Sequence, residues 1–184
     1  MKSKKSASAS TPVLKQPMPE AVLSYADIGA LAAAQASAQQ PQALFGAIGE
    51  IGARTVGQCL FSVNAFRAAT LEVERLYSSN HAAYPVGGRK QKKATAWGQQ
   101  VLIERRLFVG EGEAAIQMSF KDAGLMFSLG VRSIINVPVV WRDDCLGVLN
   151  FACPLPVVKT RQVTAARLLA LTAITGFLES MNAH

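Results

Sequence analysis

The side chains able to act as nucleophiles or metal ligands are few and scattered. Cys59, Cys145 and Cys153 share no metal-ligand spacing, and the only histidines are His81 and His184. A zinc site needs several convergent nitrogen or sulfur donors, usually at short paired spacings, and no such set is written here. An odd number of separated cysteines also argues against a disulfide framework and for a reducing cytoplasm. A reactive thiolate wants access and a neighbouring cation. Cys145 follows Arg142, but Asp143 and Asp144 lie between them and should raise its pKa. No Ser-His-Asp set or pair of carboxylates stands out, so the chain is not expected to be an enzyme.

A more specific chemistry lies in two amides. Ser133-Ile-Ile-Asn-Val-Pro-Val-Val-Trp-Arg-Asp-Asp-Cys-Leu-Gly-Val-Leu-Asn-Phe151 reads as two apolar strands about a polar turn. Asn136 and Asn150 occupy positions where Val or Ile would be ordinary. If the turn is Arg142-Asp143-Asp144, Trp141 faces Cys145 and, counting back, Asn136 faces Asn150 on the same side of the sheet. A two-residue turn would separate them onto opposite faces. A buried amide left without partners costs roughly 1–3 kcal/mol. Facing amides satisfy each other in part and still offer a donor or acceptor to a ligand. A structural pair and a ligand-binding pair both remain open.

The net charge of +7 is localised. Lys2, Lys4, Lys5 and Lys15 stand against Glu20 in the first twenty residues, and Arg89-Lys90-Gln91-Lys92-Lys93 holds four more cations. This is a tail and one loop rather than a continuous basic face, and no nucleic-acid-binding motif accompanies it. These charges are read as solvated, and nucleic acid is not an expected partner. No apolar run approaches the roughly 18 residues of a membrane span. The lysine-rich start lacks the apolar segment of a secretory signal, so a cytoplasmic location is expected.

The elements that must position these residues follow from periodicity. Half of the residues are hydrophobic, which supports one globular domain with a sizeable core. Residues 1–20 read as a flexible basic tail and 21–40 as an Ala/Gln-rich helix, with the domain proper at 41–182. After Pro41, Leu44, Ile48, Ile51 and Thr55 fall on one helical face, widened by Phe45 and Gly52. Two strands follow, 59–67 and 70–78, the second with Leu71, Val73 and Arg75 on one face and Glu72, Glu74 and Leu76 on the other. Residues 79–93 read as a long loop. Thr95 caps a helix to Glu104 with Trp97, Val101 and Leu102 inward. A short strand at 107–109 and one or two helices over 114–129 come next, with Ile116, Phe120, Leu125, Met126 and Phe127 inward. The hairpin and a long helix, 160–181, complete an α+β plan: an antiparallel sheet with helices collected on one side.

This order and its motifs resemble the GAF domain family. Leu129-Gly-Val-Arg-Ser-Ile-Ile-Asn-Val-Pro-Val-Val-Trp141 followed by Cys145-Leu-Gly-Val-Leu-Asn-Phe151 is similar to the closing strands of such domains. Arg75-Leu-Tyr-Ser-Ser-Asn80, Tyr84-Pro-Val-Gly-Gly88 and Thr95-Ala-Trp-Gly98 resemble the middle of small bacterial GAF proteins. The resemblance covers about residues 42–180. It implies a PAS-like antiparallel sheet of about six strands, helices on one face and a small-molecule cavity on the other.

It further implies a regulatory module that senses a ligand and signals through a separate downstream protein. The ligand and any cofactor are left unknown by the sequence. Tyr77, Tyr84, Trp97, Phe108, Phe127, Ser133, Asn136 and Asn150 are the candidate lining. The cyclic-nucleotide signature of some members is not seen, nor is a cysteine placed as in bilin carriers. Resemblance to free methionine sulfoxide reductases gives an enzymatic alternative, but residues 79–128 contain no cysteine. A basic module associated with a partner or nucleic acid is a further alternative. Helix 160–181 is apolar around more than one face, with Ala165, Ala166, Ala170 and Ala173 permitting close approach. A homodimer through the terminal helices is therefore expected.

Overall fold

The computed structural model describes residues 22–92 and 95–182. The basic tail, Lys93 and His184 lie outside them. Ser24 opens α1 (Tyr25–Gln35) with a reciprocal cap: its hydroxyl accepts the Asp27 N–H at 3.2 Å, and the Asp27 carboxylate accepts the Ser24 N–H at 2.9 Å. α1 buries little besides Leu31, and it is tied to α2 (Gln42–Thr55) by an Arg54–Asp27 ion pair of 2.6 Å. The α2 stripe is as its period requires, with Leu44, Phe45, Ile48, Ile51, Gly52 and Thr55 all buried.

Six strands form one antiparallel sheet, β1 (Leu60–Arg67), β2 (Glu72–Ser78), β3 (Arg89–Gln91), β4 (Phe108–Glu111), β5 (Ser133–Trp141) and β6 (Asp144–Cys153), in the order β3-β2-β1-β6-β5-β4. β3 corrects the reading of 79–93 as loop throughout. Three polar residues carry no hydrophobic alternation, and they pair at the edge of β2 with Glu72, Val73 and Glu74 opposite.

One face of the sheet is covered by α2, α6 (Thr160–Thr172) and α7 (Ile174–Asn182). Phe45, Phe61, Phe151 and Phe177 interlock there, with ring centroids 5.0 Å apart for Phe61–Phe151 and 5.6 Å for Phe45–Phe177. The long terminal helix is in fact two, bent by 41° at Ala173. The Ala173 N–H bonds to Ala170, a tightened last turn, and the Thr172 hydroxyl donates to the Leu169 carbonyl. The bend turns Phe177 down onto Gly147. It also reassigns the alanines: Ala165, Ala166, Ala170 and Ala173 are buried within the chain's own helix layer. Leu168 and Leu171 remain exposed, at 44% and 66%. Among the described residues no single helix is long and apolar enough to cross a membrane. The bent α6–α7 pair reaches that length and composition together.

The other face is roofed by short helices, α3 (Ala96–Gly98) with the π-helical turn Gln99–Ile103 that continues it, α4 (Gly112–Ser119) and α5 (Ala123–Ser128). Thr95 caps α3 as its type and place require, accepting the Gly98 N–H at 3.0 Å. Ile116 and Met126 are buried here and Phe120 and Phe127 half-buried. Leu125, expected inward, is 41% exposed, because α5 is too short to bury more than one side.

Candidate functional site

The hairpin brings Asn136 opposite Asn150, by a route other than the expected one. The turn is two residues, Arg142-Asp143, with Trp141 facing Asp144 and Val140 facing Cys145. Arg142 takes a left-handed φ of 54° to close it. A register shift next to Val139 then leaves Leu146 unpaired, so Val139 faces Gly147 and the parity is restored. The amides bond to each other, Asn136 Nδ2 donating to Asn150 Oδ1 at 2.7 Å. Asn136 Oδ1 accepts the Trp97 indole N–H at 2.9 Å. Asn150 Nδ2 donates to the carbonyl and the hydroxyl of Ser62, each at 3.2 Å. A polar chain thus runs from α3 across β5 and β6 to β1.

This chain borders a cavity of about 80 Å³ between the sheet and the roof. Its floor includes Ser62, Asn64, Val73, Arg75, Ile134 and Asn150; Tyr84, Trp97, Phe120 and Met126 form its roof; Lys90, Lys92 and Asp122 complete the polar side. Arg75 lies against the Tyr84 ring, its Cζ 4.9 Å from the centroid, and one of its nitrogens donates to the Pro85 carbonyl at 3.1 Å. The Lys92 ammonium sits 4.6 Å from the Trp97 ring centroid. Lys90 and Asp122 pair at 3.0 Å, joining β3 to the α4–α5 connection.

The electrostatics follow from placing cations in a half-closed space. Burial lowers the pKa of Arg75, and burial followed by Lys90 lowers that of Lys92. Burial alone would raise Asp122, but the hydrogen bond and charge of Lys90 outweigh it and the net direction is down. Tyr84 is pushed up to about 12, by burial first and the Asp122 charge second. Three buried polar atoms on the lining, Arg75 Nε, the Tyr84 hydroxyl and Asn64 Oδ1, have no hydrogen-bond partner among the described residues.

The architecture has close counterparts. It matches the GAF domain of a phosphoenolpyruvate-protein phosphotransferase from Acinetobacter with a TM-score of 0.67 at 14% identity, covering 88% of this chain and 98% of that one. The corresponding domain from Coxiella burnetii gives 0.69 at 11% identity, over 86% of this chain and 94% of that one. The fold is that of a GAF domain. The chromophore-binding domain of a bacteriophytochrome from R. palustris shares it as well, with a TM-score of 0.61 at 15% identity, over 85% of this chain and 60% of that one. No family model matches the sequence. No curated protein matches it either.

Within this GAF fold the candidate residues divide. Tyr84, Trp97 and Asn150 line the cavity, and Asn136 stands one hydrogen bond behind it. Phe108 and Phe127 pack into the surrounding wall, Phe108 edge-on to Phe120 at 6.1 Å. Tyr77 and Ser133 lie elsewhere. A register shift between Val63 and Asn64 leaves Leu76 as an extra residue in β2, so Tyr77 swings to the helix-covered face against Phe45 and Phe61. Ser133 alternates with Ile134 onto that same face, where its hydroxyl donates to the Leu155 carbonyl at 2.6 Å.

Arg75, Lys90, Lys92, Ser62 and Asn64 were not among the candidates. The one signal for them was Arg75 itself, a charge sharing a strand face with Val73. The basic loop, read as solvated, is engaged: Arg89 with Glu74, Lys90 with Asp122 and Lys92 with Trp97.

None of the three cysteines lines the cavity. Burial raises Cys145 to about 11 and Cys153 to about 12. For Cys145 burial, rather than the neighbouring aspartates, is the cause. Cys59 is at the surface with its Sγ turned 3.4 Å from the Ala152 carbonyl, and partial burial of the sulfur raises it too. Among the described residues no cluster of His, Cys, Asp and Glu could hold a metal.

Proposed function

We propose that this chain is a small-molecule-sensing regulatory domain in signal transduction. The observation that carries the reading is the cavity between sheet and roof, where poorly partnered polar atoms of Arg75, Tyr84 and Asn64 meet an apolar wall of Leu60, Val73, Met126 and Ile134 and a polar side of Lys90, Lys92 and Asp122. A few placed polar groups in an apolar hollow are what a ligand site needs. The roof is made of short helices and connections, and such elements reorganise at lower cost than the packed helix face. In GAF-fold relatives of known structure the domain belongs to phosphotransferase and sensor-kinase proteins, which supports a signalling role here.

Transmission is proposed to use a homodimer. Leu168 and Leu171 project from α6 beside a groove bounded by Leu107, Pro138 and Ile174, and a second copy would cover them. A shift of β5 against α6 would then reach both copies by symmetry.

The sensing reading is tested by a thermal-shift screen of neutral, cationic and anionic metabolites on the whole chain. At least one small compound should raise Tm saturably. A screen in which no compound of any charge binds would overturn the reading.

A further inference from the structure

We propose that the cavity takes a small monocarboxylate with a short apolar tail, its carboxylate held between Arg75 and Lys92. The proposal rests on the reading of this hollow as a ligand site and adds the chemical class.

Charge is the first argument. Among the described residues Asp122 is the only acidic one on the lining, and it is engaged by Lys90 at 3.0 Å. Arg75 and Lys92 have no carboxylate within ion-pair distance among the described residues. Each is held instead against an aromatic face, Arg75 on Tyr84 and Lys92 on Trp97. A ring face compensates a cation only in part and leaves its other directions free. Burial lowers the pKa of both cations, joined by Lys90 for Lys92, and outweighs the opposing charge of Asp122; a bound anion would offset that burial further.

Hydrogen bonding is the second. Arg75 Nε is a buried donor with no acceptor among the described residues, and the Tyr84 hydroxyl, although it is beside Asp122, makes no well-formed bond. The Asn64 amide, whose Oδ1 is unpartnered, has an equivalent orientation that presents its NH2 instead. A carboxylate accepts from several donors at once, and bonds from a guanidinium are among the stronger ones.

Size and polarity narrow the class. About 80 Å³ exceeds the ~10–15 Å³ that one water needs and falls well below the ~300–1,000 Å³ of drug-sized sites. A molecule of a few heavy atoms fits, and a nucleotide does not. Ile134, Met126 and the Trp97 ring make part of the wall apolar. Inorganic phosphate would turn oxygens toward that wall without partners, at a desolvation cost. A carboxylate with a short aliphatic tail meets both parts of the site. The indole is fixed in place by Asn136, so the apolar wall is preformed.

The test is calorimetric titration with thermal shift on the whole chain at constant ionic strength. Probes are acetate, propionate, butyrate and pyruvate, with propionamide, propylamine, inorganic phosphate and chloride as contrasts. A carboxylate should raise Tm saturably and bind about tenfold or more tightly than its amide, the scale of one charge-assisted contact. Lys92→Met keeps the apolar stem over Trp97 and should weaken carboxylate binding about tenfold with the fold intact; Arg75→Met should do the same. If Arg75→Met fails to fold, Lys92→Met alone decides. Equal binding of propionate and propionamide, preference for phosphate, or full binding by Lys92→Met overturns the proposal. Binding by neutral or cationic probes alone overturns it while the sensing reading stands. No binding by any probe removes this proposal, and the broader screen decides the sensing reading separately.

Discussion

The two faces of the sheet are built from the same strands to opposite ends. β1 sends Phe61 and Val63 to the helix side and Ser62 and Asn64 to the cavity side; β6 sends Leu149 and Phe151 one way and Asn150 the other. On the helix side aromatic rings interlock and small residues admit them, Gly147 under Phe177 and Gly176 against Phe45. On the cavity side polar groups bond in a chain and leave a hollow. The first face supplies stability through close packing. The second retains specific polar positions at some cost in stability, as binding sites do.

The sharpest way to break this contrast is Gly147→Val. A Cβ there would overlap the Asn64 carbonyl oxygen and the Phe177 ring, and both are held by their own packing. The loss should reach or exceed the upper part of the usual ~1–3 kcal/mol overpacking range, read by urea denaturation. A wild-type midpoint would show that the helix face is loose. On the other face, Asn136→Leu leaves the Trp97 N–H without its acceptor and should cost about 1–3 kcal/mol. Adding Asn150→Leu should cost less than it does alone, with a coupling of about 0.5–3 kcal/mol in a double-mutant cycle. Strict additivity would mean that the chain is four separate contacts.

Smaller in stability is the pair Leu168→Glu with Leu171→Glu. Both side chains are exposed, so the melt should move by no more than about 0.5 kcal/mol while light scattering falls from a dimeric to a monomeric mass. A monomeric wild type would sink the dimer. The effect confined to a pH window belongs to Asp27, at the outer margin of the helix side. Bonds from Arg54 and Ser24 lower its pKa from 3.8 to about 2. Its contribution is complete above its unfolded pKa and is lost as pH falls from about 4 toward 2. Asp27→Asn should cost about 1 kcal/mol or less at pH 7, because Arg54 is largely exposed, and nothing near pH 2. A deficit that persists at pH 2 would show that the cap geometry, and not the charge, holds α1.

Local pattern made much of the fold readable. The α2 stripe, the Thr95 cap and the strands of both hairpins are where periodicity and capping chemistry put them, because those signals lie within a few residues of one another. The amide pairing is instructive, since a wrong turn length and an unforeseen bulge at Leu146 offset each other. The bulge at Leu76 had no such compensation, and it carried Tyr77 to the wrong side. One extra residue inverts every facing beyond it, and nothing in residue type announces it. The cavity cations were missed for another reason. Lysines and arginines in a Gly-rich segment are most often solvated, and only the fold shows that β3 carries Lys90 to a hollow floored by Arg75.

Trp97 also makes the site legible to light. The chain has two tryptophans. One indole is buried at the cavity, bonded through its N–H and flanked by an ammonium; the other, Trp141, is 44% exposed at the hairpin tip. A water-soluble quencher should reach Trp141 and spare Trp97, so the unquenched emission belongs to the roof alone. Occupancy of the hollow would then register as a change in that residual signal, with the hairpin tip as an internal standard and no label attached.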